Sequence, residues 1–239
     1  MTDKPAAFTA CGGCAARRLN LCAGMQRMAN APVPASSGRA LVQSILARRV
    51  ICGPREWSEF VYVICTGWAM VSTALADGRR QVLSFLLPGE IDSMASLFEP
   101  RFGRTIEAIT EVHYRKFRRE EMQNAVFSNP DLLRTLGELC SAERTHADNL
   151  ALDLGRRTAD ERIARLILDL SKRLAQHGMM DGQMMDFPLR QRQIADATGL
   201  TAVHVSRVLN EFQRSALIRI GERRLTILDA SGLRRLAEA

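Results

Sequence analysis

Residues 189 to 224 read LRQRQIADATGLTAVHVSRVLNEFQRSALIRIGERR, and this stretch decides the fold of the carboxyl-terminal part of the chain. Apolar residues recur at helical spacing from Ile194 to Ala197 and again from Val203 to Phe212, with Gly199 between the two runs. This pattern predicts two helices around a tight turn at residues 199–201, in which glycine adopts a left-handed backbone and threonine caps the second helix. The alternating runs 217–220 and 225–228 predict a hairpin behind them, so the unit is expected to be a winged helix-turn-helix.

The second of these helices has a face that suits contact with DNA. When its apolar side turns inward, the side chains on the opposite face are Val203, His204, Ser206, Arg207 and Asn210. Arginine can bond bidentately to guanine, serine can bond several bases, and valine can make only apolar contact. Residues 188–239 hold nine arginines against five acidic residues, and Arg190, Arg223 and Arg224 are the predicted phosphate contacts. An isolated helix-turn-helix pattern is common, but here the turn, the polar face, the hairpin and the charge agree.

The composition of the whole chain agrees with a partner that is an anion. The 239 residues are enough for two modest domains, and the net charge is +7, with 30 of the 33 basic residues being arginine. We find neither a long apolar run nor a secretory signal, so we expect a cytoplasmic protein without a membrane segment. Six cysteines in such a protein are not expected to form a disulfide framework. Metal binding, redox chemistry and packing remain as explanations for them.

Changes in composition divide the chain into four parts. Residues 1–38 carry Cys11, Cys14 and Cys22 but too few apolar residues for an independent core. Residues 39–129 contain short β-rich runs broken by glycine turns, of which Asp77-Gly78 is the strongest hairpin signal, and they predict a small antiparallel barrel or sandwich. Residues 130–155 predict one long helix, and residues 156–239 hold a further amphipathic helix and the winged unit. The fold class is therefore α+β.

The long helix is predicted to be a dimerisation helix. A narrow stripe runs along about 25 residues, longer than an ordinary globular helix needs. The alternative is that this stripe packs on the β-domain of the same chain. The predicted interface residues are Leu132, Leu136, Leu139, Glu143, His146, Leu150 and Leu154.

The order of these parts resembles the CRP/FNR family of bacterial transcription regulators over residues 39–239. The marks are the segments 62–67 (YVICTG), 87–90 (LPGE), 160–164 (DERIA), 193–195 (QIA) and Ser206-Arg207. The resemblance implies an amino-terminal β-roll like that of cyclic-nucleotide-binding domains, a homodimer on double-stranded DNA with inverted TTG-type half-sites, and RNA polymerase as a partner. Arg207 would then read the guanine with help from Ser206. The FNR and FixK branch has glutamate at the position of Val203, so the base preference there is open.

The resemblance also suggests two kinds of effector. Members that bind cyclic AMP have a carboxylate for the ribose hydroxyl where this chain has Met94, although Arg104-Thr105 matches the pair that grips the cyclic phosphate. An apolar residue leaves that hydroxyl unpaired, so tight binding of a cyclic nucleotide is not expected.

The other effector is oxygen or redox state. Cys11-x2-Cys14-x7-Cys22 resembles the amino-terminal motif of FNR-type proteins, which implies a [4Fe-4S] cluster on these three thiolates and a fourth ligand. The family's fourth cysteine aligns near Arg115, so Cys52, Cys65 or His113 would have to replace it, and the fourth ligand is open. Zinc binding, thiol–disulfide chemistry and the absence of a ligand are the alternatives. Cys65 and Cys140 are predicted to be packing residues.

The sequence does not indicate an enzyme. The four histidines show no metal-ligand spacing, and we find no nucleophile motif and no phosphate loop. The prediction is a DNA-binding regulator that responds to oxygen or redox state. The alternative is a regulator of the same type without a cluster, which responds to a cyclic nucleotide, to thiol oxidation or to no small ligand.

Overall fold

Seven strands in two antiparallel sheets form the first half of the described chain. The computed structural model describes residues 42–54, 59–99 and 103–238. The strands are β1 (Val42–Ile45), β2 (Val50–Cys52), β3 (Phe60–Thr66), β4 (Ala69–Ala74), β5 (Arg80–Leu86), β6 (Thr105–Ala108) and β7 (Val112–Arg118). One sheet has the order β1-β7-β3 and the other the order β2-β6-β4-β5. Buried side chains from both sheets, such as Ile64, Val71 and Tyr114, meet in one core, as expected for a β-roll.

Two glycine turns fix the connections of β4. At Gly67 the backbone is left-handed with φ +80, and a Cβ atom would lie 2.1 Å from the carbonyl oxygen of Glu111, so only glycine fits there. The hairpin predicted at Asp77-Gly78 is confirmed, because Ala74 pairs with Arg80 and Gly78 has φ +85.

Three helices follow the β-roll. After the short 3₁₀ helix Met94–Leu97 in the loop behind β5, the chain forms α1 (Arg119–Phe127), α2 (Pro130–Arg156) and α3 (Ala159–Gln176). Asn129 caps α2 by accepting from the amides of Asp131 and Leu132, and proline stands at its first position. Thr158 and Glu161 form a capping box at the start of α3.

The predicted winged helix-turn-helix is confirmed. It consists of β8 (Met184–Asp186), α4 (Gln191–Thr198), α5 (Ala202–Arg214), β9 (Ile218–Gly221), β10 (Arg224–Ile227) and α6 (Ala230–Glu238). The small sheet has the order β8-β10-β9. Its wing is a two-residue turn, Glu222 and Arg223, with φ +49 and +62, which is the type I′ geometry that fits the twist of a hairpin.

The two halves of the chain pack together. Buried residues of β4 and β5, such as Met70 and Phe85, belong to the same apolar cluster as Ile163 of α3 and Ile194 of α4. At the edge of this contact the Arg80 guanidinium donates two bonds to Asp196 of α4, from Nη2 at 2.7 Å and from Nε at 3.0 Å. Strand β5 thereby fixes the position of the first helix of the DNA-binding unit. In the part of the chain that the structure describes, no helix is long and apolar enough to span a membrane.

Candidate nucleic-acid interface

The turn between α4 and α5 sets the position of the second helix. Gly199 ends α4 in the left-handed conformation with φ +67, and the amide of Leu200 donates to the carbonyl of Ala195 at 3.1 Å. The Thr201 hydroxyl caps α5 by accepting from the amide of His204 at 3.2 Å. On its inner side α5 buries Val205, Val208, Leu209 and Phe212. This packing leaves one defined face of α5 toward solvent.

The outward face of α5 holds the five side chains that the sequence assigned to base contact. Val203 is 81% exposed, Arg207 and Asn210 are exposed, and His204 and Ser206 are half-buried. Arg207 Nη2 lies 2.8 Å from His204 Nε2, a hydrogen bond that holds the guanidinium at the start of the helix. The structure thus brings these residues onto one face. That they contact bases stays a prediction.

The three arginines predicted to contact phosphates are all exposed. Arg190 precedes α4, and its amide donates to the side chain of Gln193 at 2.8 Å. Arg223 lies in the wing turn, and Arg224 begins β10, with only a long ion pair of 3.7 Å to Asp186. These exposed arginines lie on elements before and after α5 in the chain. Such positions suit contacts with the phosphates of a DNA duplex.

The interface predicted on α2 requires a correction. Leu132 and Leu136 are 3% and 6% exposed in a single chain, because they pack in one apolar cluster with residues such as Met94 and Val126. Leu139 packs beside the same cluster. A partner cannot use side chains that the chain's own β-roll and α1 already cover.

The rest of that stripe also faces its own chain. Glu143 accepts from the amide of Met94 at 2.7 Å, and His146 Nε2 lies 3.0 Å from the carbonyl oxygen of Leu83. Leu150 lines a small cavity of about 110 Å³ between β5, α2 and α3. Leu154 reaches the α4–α5 turn, where a Cβ on Gly199 would lie 2.8 Å from its Cδ2. The alternative stated above, a helix packed on its own domain, therefore describes this stripe.

Two arginines that sequence reasoning missed join the long helices to their surroundings. Arg162 donates to three carbonyl oxygens, those of Leu154 at 3.1 Å, Arg157 at 2.8 Å and Thr198 at 3.1 Å. It thus ties the end of α2 to the end of α4. Its only sequence signal was its place in the DERIA segment that carried the resemblance.

Arg173 makes the second such connection. Its guanidinium bonds to Glu90, to Asp169 of its own helix at 3.0 Å and to the carbonyl oxygen of Phe85. Burial alone would raise the pKa of Glu90, but the charge of Arg173 and the hydrogen bonds from His177, Arg173 and the Leu87 amide together outweigh burial and lower that pKa to about 2. The carboxylate of the LPGE segment is therefore charged and holds α3 against the β-roll.

The loop that would form a cyclic-nucleotide site is occupied by the chain's own residues. Met94 is 1% exposed and lies in the apolar cluster with Leu132 and Leu136, so it cannot serve a ribose hydroxyl. The Glu143 carboxylate bonds to the Met94 amide and, at 3.2 Å, to the Ser93 hydroxyl. The Arg104 guanidinium approaches the same hydroxyl at 3.5 Å. An internal carboxylate thus binds the donors of this loop.

A buried carboxyl lies beside this loop. Asp92 is 6% exposed, and its Oδ2 atom has no hydrogen-bond partner among the described residues. Burial raises the pKa of Asp92 to about 7, against the attraction of Arg104 and with a small contribution from the charge of Glu143.

The cysteines differ in their surroundings. Cys52 is buried in the β-roll core, and Cys140, expected to be buried, is exposed on α2. Cys65 is half-buried and is the extra residue of a β-bulge, because Ile64 pairs with Tyr114 and Thr66 pairs with His113. Cys11, Cys14 and Cys22 lie outside the described residues. Within residues 42–54, 59–99 and 103–238, no group of three or more His, Cys, Asp or Glu could hold a metal ion.

A β-roll, a long helix and a winged helix-turn-helix define a DNA-binding transcription regulator, because the last unit exposes arginines and side chains that can contact base edges. Residues 42–129 match the family model of the cyclic nucleotide-binding domain, and residues 161–236 match that of the Crp-like helix-turn-helix domain. The nitrogen fixation regulation protein FixK of Rhizobium meliloti is 34% identical over 206 residues, which cover 86% of this chain and 90% of FixK. The chain belongs to the CRP/FNR family of transcription regulators, whose members bind DNA and are typically dimeric.

Two further relatives span nearly the whole described fold. The solved structure of FixK2 from Bradyrhizobium japonicum has a TM-score of 0.76 at 30% identity and covers 84% of this chain and 98% of that chain. The transcriptional activator protein FnrL of Cereibacter sphaeroides is 29% identical over 240 residues, 97% of this chain and 93% of FnrL.

Proposed function

We propose that this protein is a homodimeric regulator that reads inverted TTG-type half-sites in double-stranded DNA, acts on RNA polymerase and responds to oxygen or redox state through an iron–sulfur cluster. The outward face of α5 is the observation that carries the DNA-reading part. A buried apolar side fixes the helix, and Arg207 at its first turns is exposed and oriented by His204. An exposed guanidinium of this kind suits the O6 and N7 atoms of guanine.

The test of the reading helix is a binding titration on DNA. The duplex carries two inverted TTG half-sites whose centres are about one helical turn apart, and a scrambled duplex of equal length serves for comparison. Arg207→Ala should lose about 1 to 3 kcal/mol of discrimination per half-site, the value of one bidentate contact, and therefore about 2 to 6 kcal/mol for a dimer on both half-sites. Arg234→Ala, an exposed arginine on α6, is the matched control. If Arg207→Ala still discriminates like the wild type, α5 does not read the guanine.

The dimer is proposed to form through a second face of α2. With the large side chains turned to the β-roll, Leu133, Gly137, Cys140, Arg144, Ala147 and Ala151 remain exposed at the alternating spacings of four and three of a heptad pattern. A second copy is the proposed occupant, because a two-fold protein matches two inverted half-sites. Small side chains on this face allow two long helices to approach closely.

The proposed cluster depends on Cys11, Cys14 and Cys22. Thiolates are the soft ligands that iron–sulfur clusters require, and the described residues contain no group of three or more ligands that could hold a metal by themselves. Cys65 and His113 are the candidates for the fourth ligand, since the bulge of β3 faces His113 and Tyr114 of β7. These residues lie next to Arg115, where the resemblance to FNR-type proteins implies a cysteine. When bound, the cluster would provide an oxygen-sensitive centre beside the β-roll.

The cluster is tested on protein purified without air. We expect iron and sulfide in the purified protein and the absorbance of visible light that is typical of such clusters. We also expect the air-free protein to bind the inverted site more tightly than the same protein after exposure to air. Cys14→Ser should abolish all three, whereas Cys140→Ser, which alters an exposed cysteine outside the motif, should retain the iron, the sulfide and the absorbance, since these do not depend on the dimer face. Equal DNA affinity with and without air, or no iron after reconstitution, would contradict the proposed cluster. Regulation by thiol oxidation or by the amount of the protein would then remain.

A further inference from the structure

The most exposed large apolar side chain of the described residues is that of Val203, at 81%, and it stands on the reading face of α5. It is the second residue of the helix and stands two positions after the Thr201 cap. The side chains that share this face, Arg207, Asn210 and Ser206, are all polar. A single exposed valine on an ordinary surface would need no explanation. This one lies where a duplex would cover it.

The position of Val203 relative to Arg207 determines what it can contact. The two residues are four apart, so they lie one helical turn from each other on the same face, with Cβ atoms about 5 to 6 Å apart. The hydrogen bond from Arg207 to His204 holds the guanidinium beside this turn. If Arg207 binds a guanine, the Val203 methyl groups reach the edge of a neighbouring base pair in the same groove.

We propose that Val203 is a specificity-determining residue that selects a thymine beside the guanine read by Arg207, through contact with the thymine 5-methyl group. Valine neither donates nor accepts a hydrogen bond, so it can select only an apolar group in the major groove, and the thymine methyl is the only one there. A cytosine at the same place loses that contact and has its N4 donor covered by an apolar side chain, which is unfavourable. The inference rests on the proposed reading of DNA by α5.

The experiment begins with the full-length protein and a pool of duplexes randomised across both half-sites. From the selected site, each thymine of one half-site is then replaced singly by deoxyuridine, which removes the 5-methyl group and changes nothing else. At one thymine the wild-type affinity should fall about four-fold, as expected for one buried methyl group. In Val203→Ala, whose side chain is shorter, the same replacement should cost clearly less than in the wild type. Leu228→Ala, which removes an exposed apolar side chain from outside this face, should behave like the wild type.

The outcomes separate this inference from the proposed function. If no deoxyuridine replacement weakens wild-type binding, or if the effect is undiminished in Val203→Ala, Val203 does not read a thymine while α5 remains the reading helix. If Val203→Glu moves the selected base at that position from thymine to cytosine, whose N4 donor a carboxylate accepts, the assignment is supported a second time. If the wild-type protein selects no sequence from the pool, both the inference and the proposed function fail.

Discussion

The buried carboxyl of Asp92 predicts how the stability of the protein depends on pH. The folded state raises the pKa of Asp92 to about 7 from the ordinary value of 3.8, so between these values it keeps a proton that the unfolded chain releases. The free energy of unfolding therefore decreases as the pH rises through this window and becomes constant above it. At about 1.4 kcal/mol for each pH unit, the loss between about pH 5 and about pH 8 amounts to roughly 2 to 3 kcal/mol.

Asp92→Asn removes this dependence, since an amide is neutral at both pH values. Urea unfolding followed by circular dichroism, at matched protein concentrations, measures the free energy of unfolding of each variant at the two pH values. We expect Asp92→Asn to gain about 2 to 3 kcal/mol relative to the wild type between about pH 5 and about pH 8. Asp181→Asn, which alters an exposed aspartate, is the control and should follow the wild type. If Asp92→Asn loses as much stability as the wild type on raising the pH, the carboxyl is ionised throughout and the reasoning is wrong.

Three further predictions concern the dimer, the wing and the connection between the domains. Ala147→Glu should produce monomers in analytical ultracentrifugation, whereas Thr145→Glu, on another side of α2, should not; a dimer with Ala147→Glu would exclude this face. Arg223→Ala should weaken binding to all DNA sequences alike and reduce the slope of log affinity against log salt by about 0.9 per lost phosphate contact. An unchanged slope would show that the wing does not contact the DNA phosphates. Glu90→Gln should lower the free energy of unfolding by about 3 kcal/mol in urea titrations, because it leaves the largely buried Arg173 charge with only the more exposed carboxylate of Asp169 as a partner. A loss below about 1 kcal/mol would show that this pair is solvated.

The sequence was sufficient for the elements whose pattern is local. The strands around residues 60–65 and 81–87, the Asp77-Gly78 hairpin and the whole helix-turn-helix follow from short β-rich runs, helical spacing and turn chemistry. Strand β7 was missed because Val112–Arg118 carries charges on both faces, and only its pairing between β1 and β3 makes it a central strand. Helix α1 was missed because it is short and polar, with three buried residues.

The error on α2 has a different cause. The sequence shows that a helix has a stripe of large apolar residues, but it does not show which neighbour covers that stripe. Leu132 and Leu136 satisfy a heptad pattern equally well against a second helix or against their own β-roll, and the structure places them against the latter. The face left for a partner consists of small residues such as Gly137 and Ala147, which give little hydrophobic signal.

The contacts between domains connect α2 to the proposed reading helix α5, although α2 has no residue on the outward face of that helix. Arg162 binds the last carbonyl oxygens of both α2 and α4, and Leu154 packs against the glycine that starts the turn into α5. A shift of the end of α2 must therefore move the helix-turn-helix with it or break these contacts. On the other side, Glu143 anchors the middle of α2 to the loop of the β-roll at the Met94 amide. One continuous helix thus connects the β-roll loop to the reading helix, so any change in that loop that displaces Glu143 acts on the position of α5 through a rigid element.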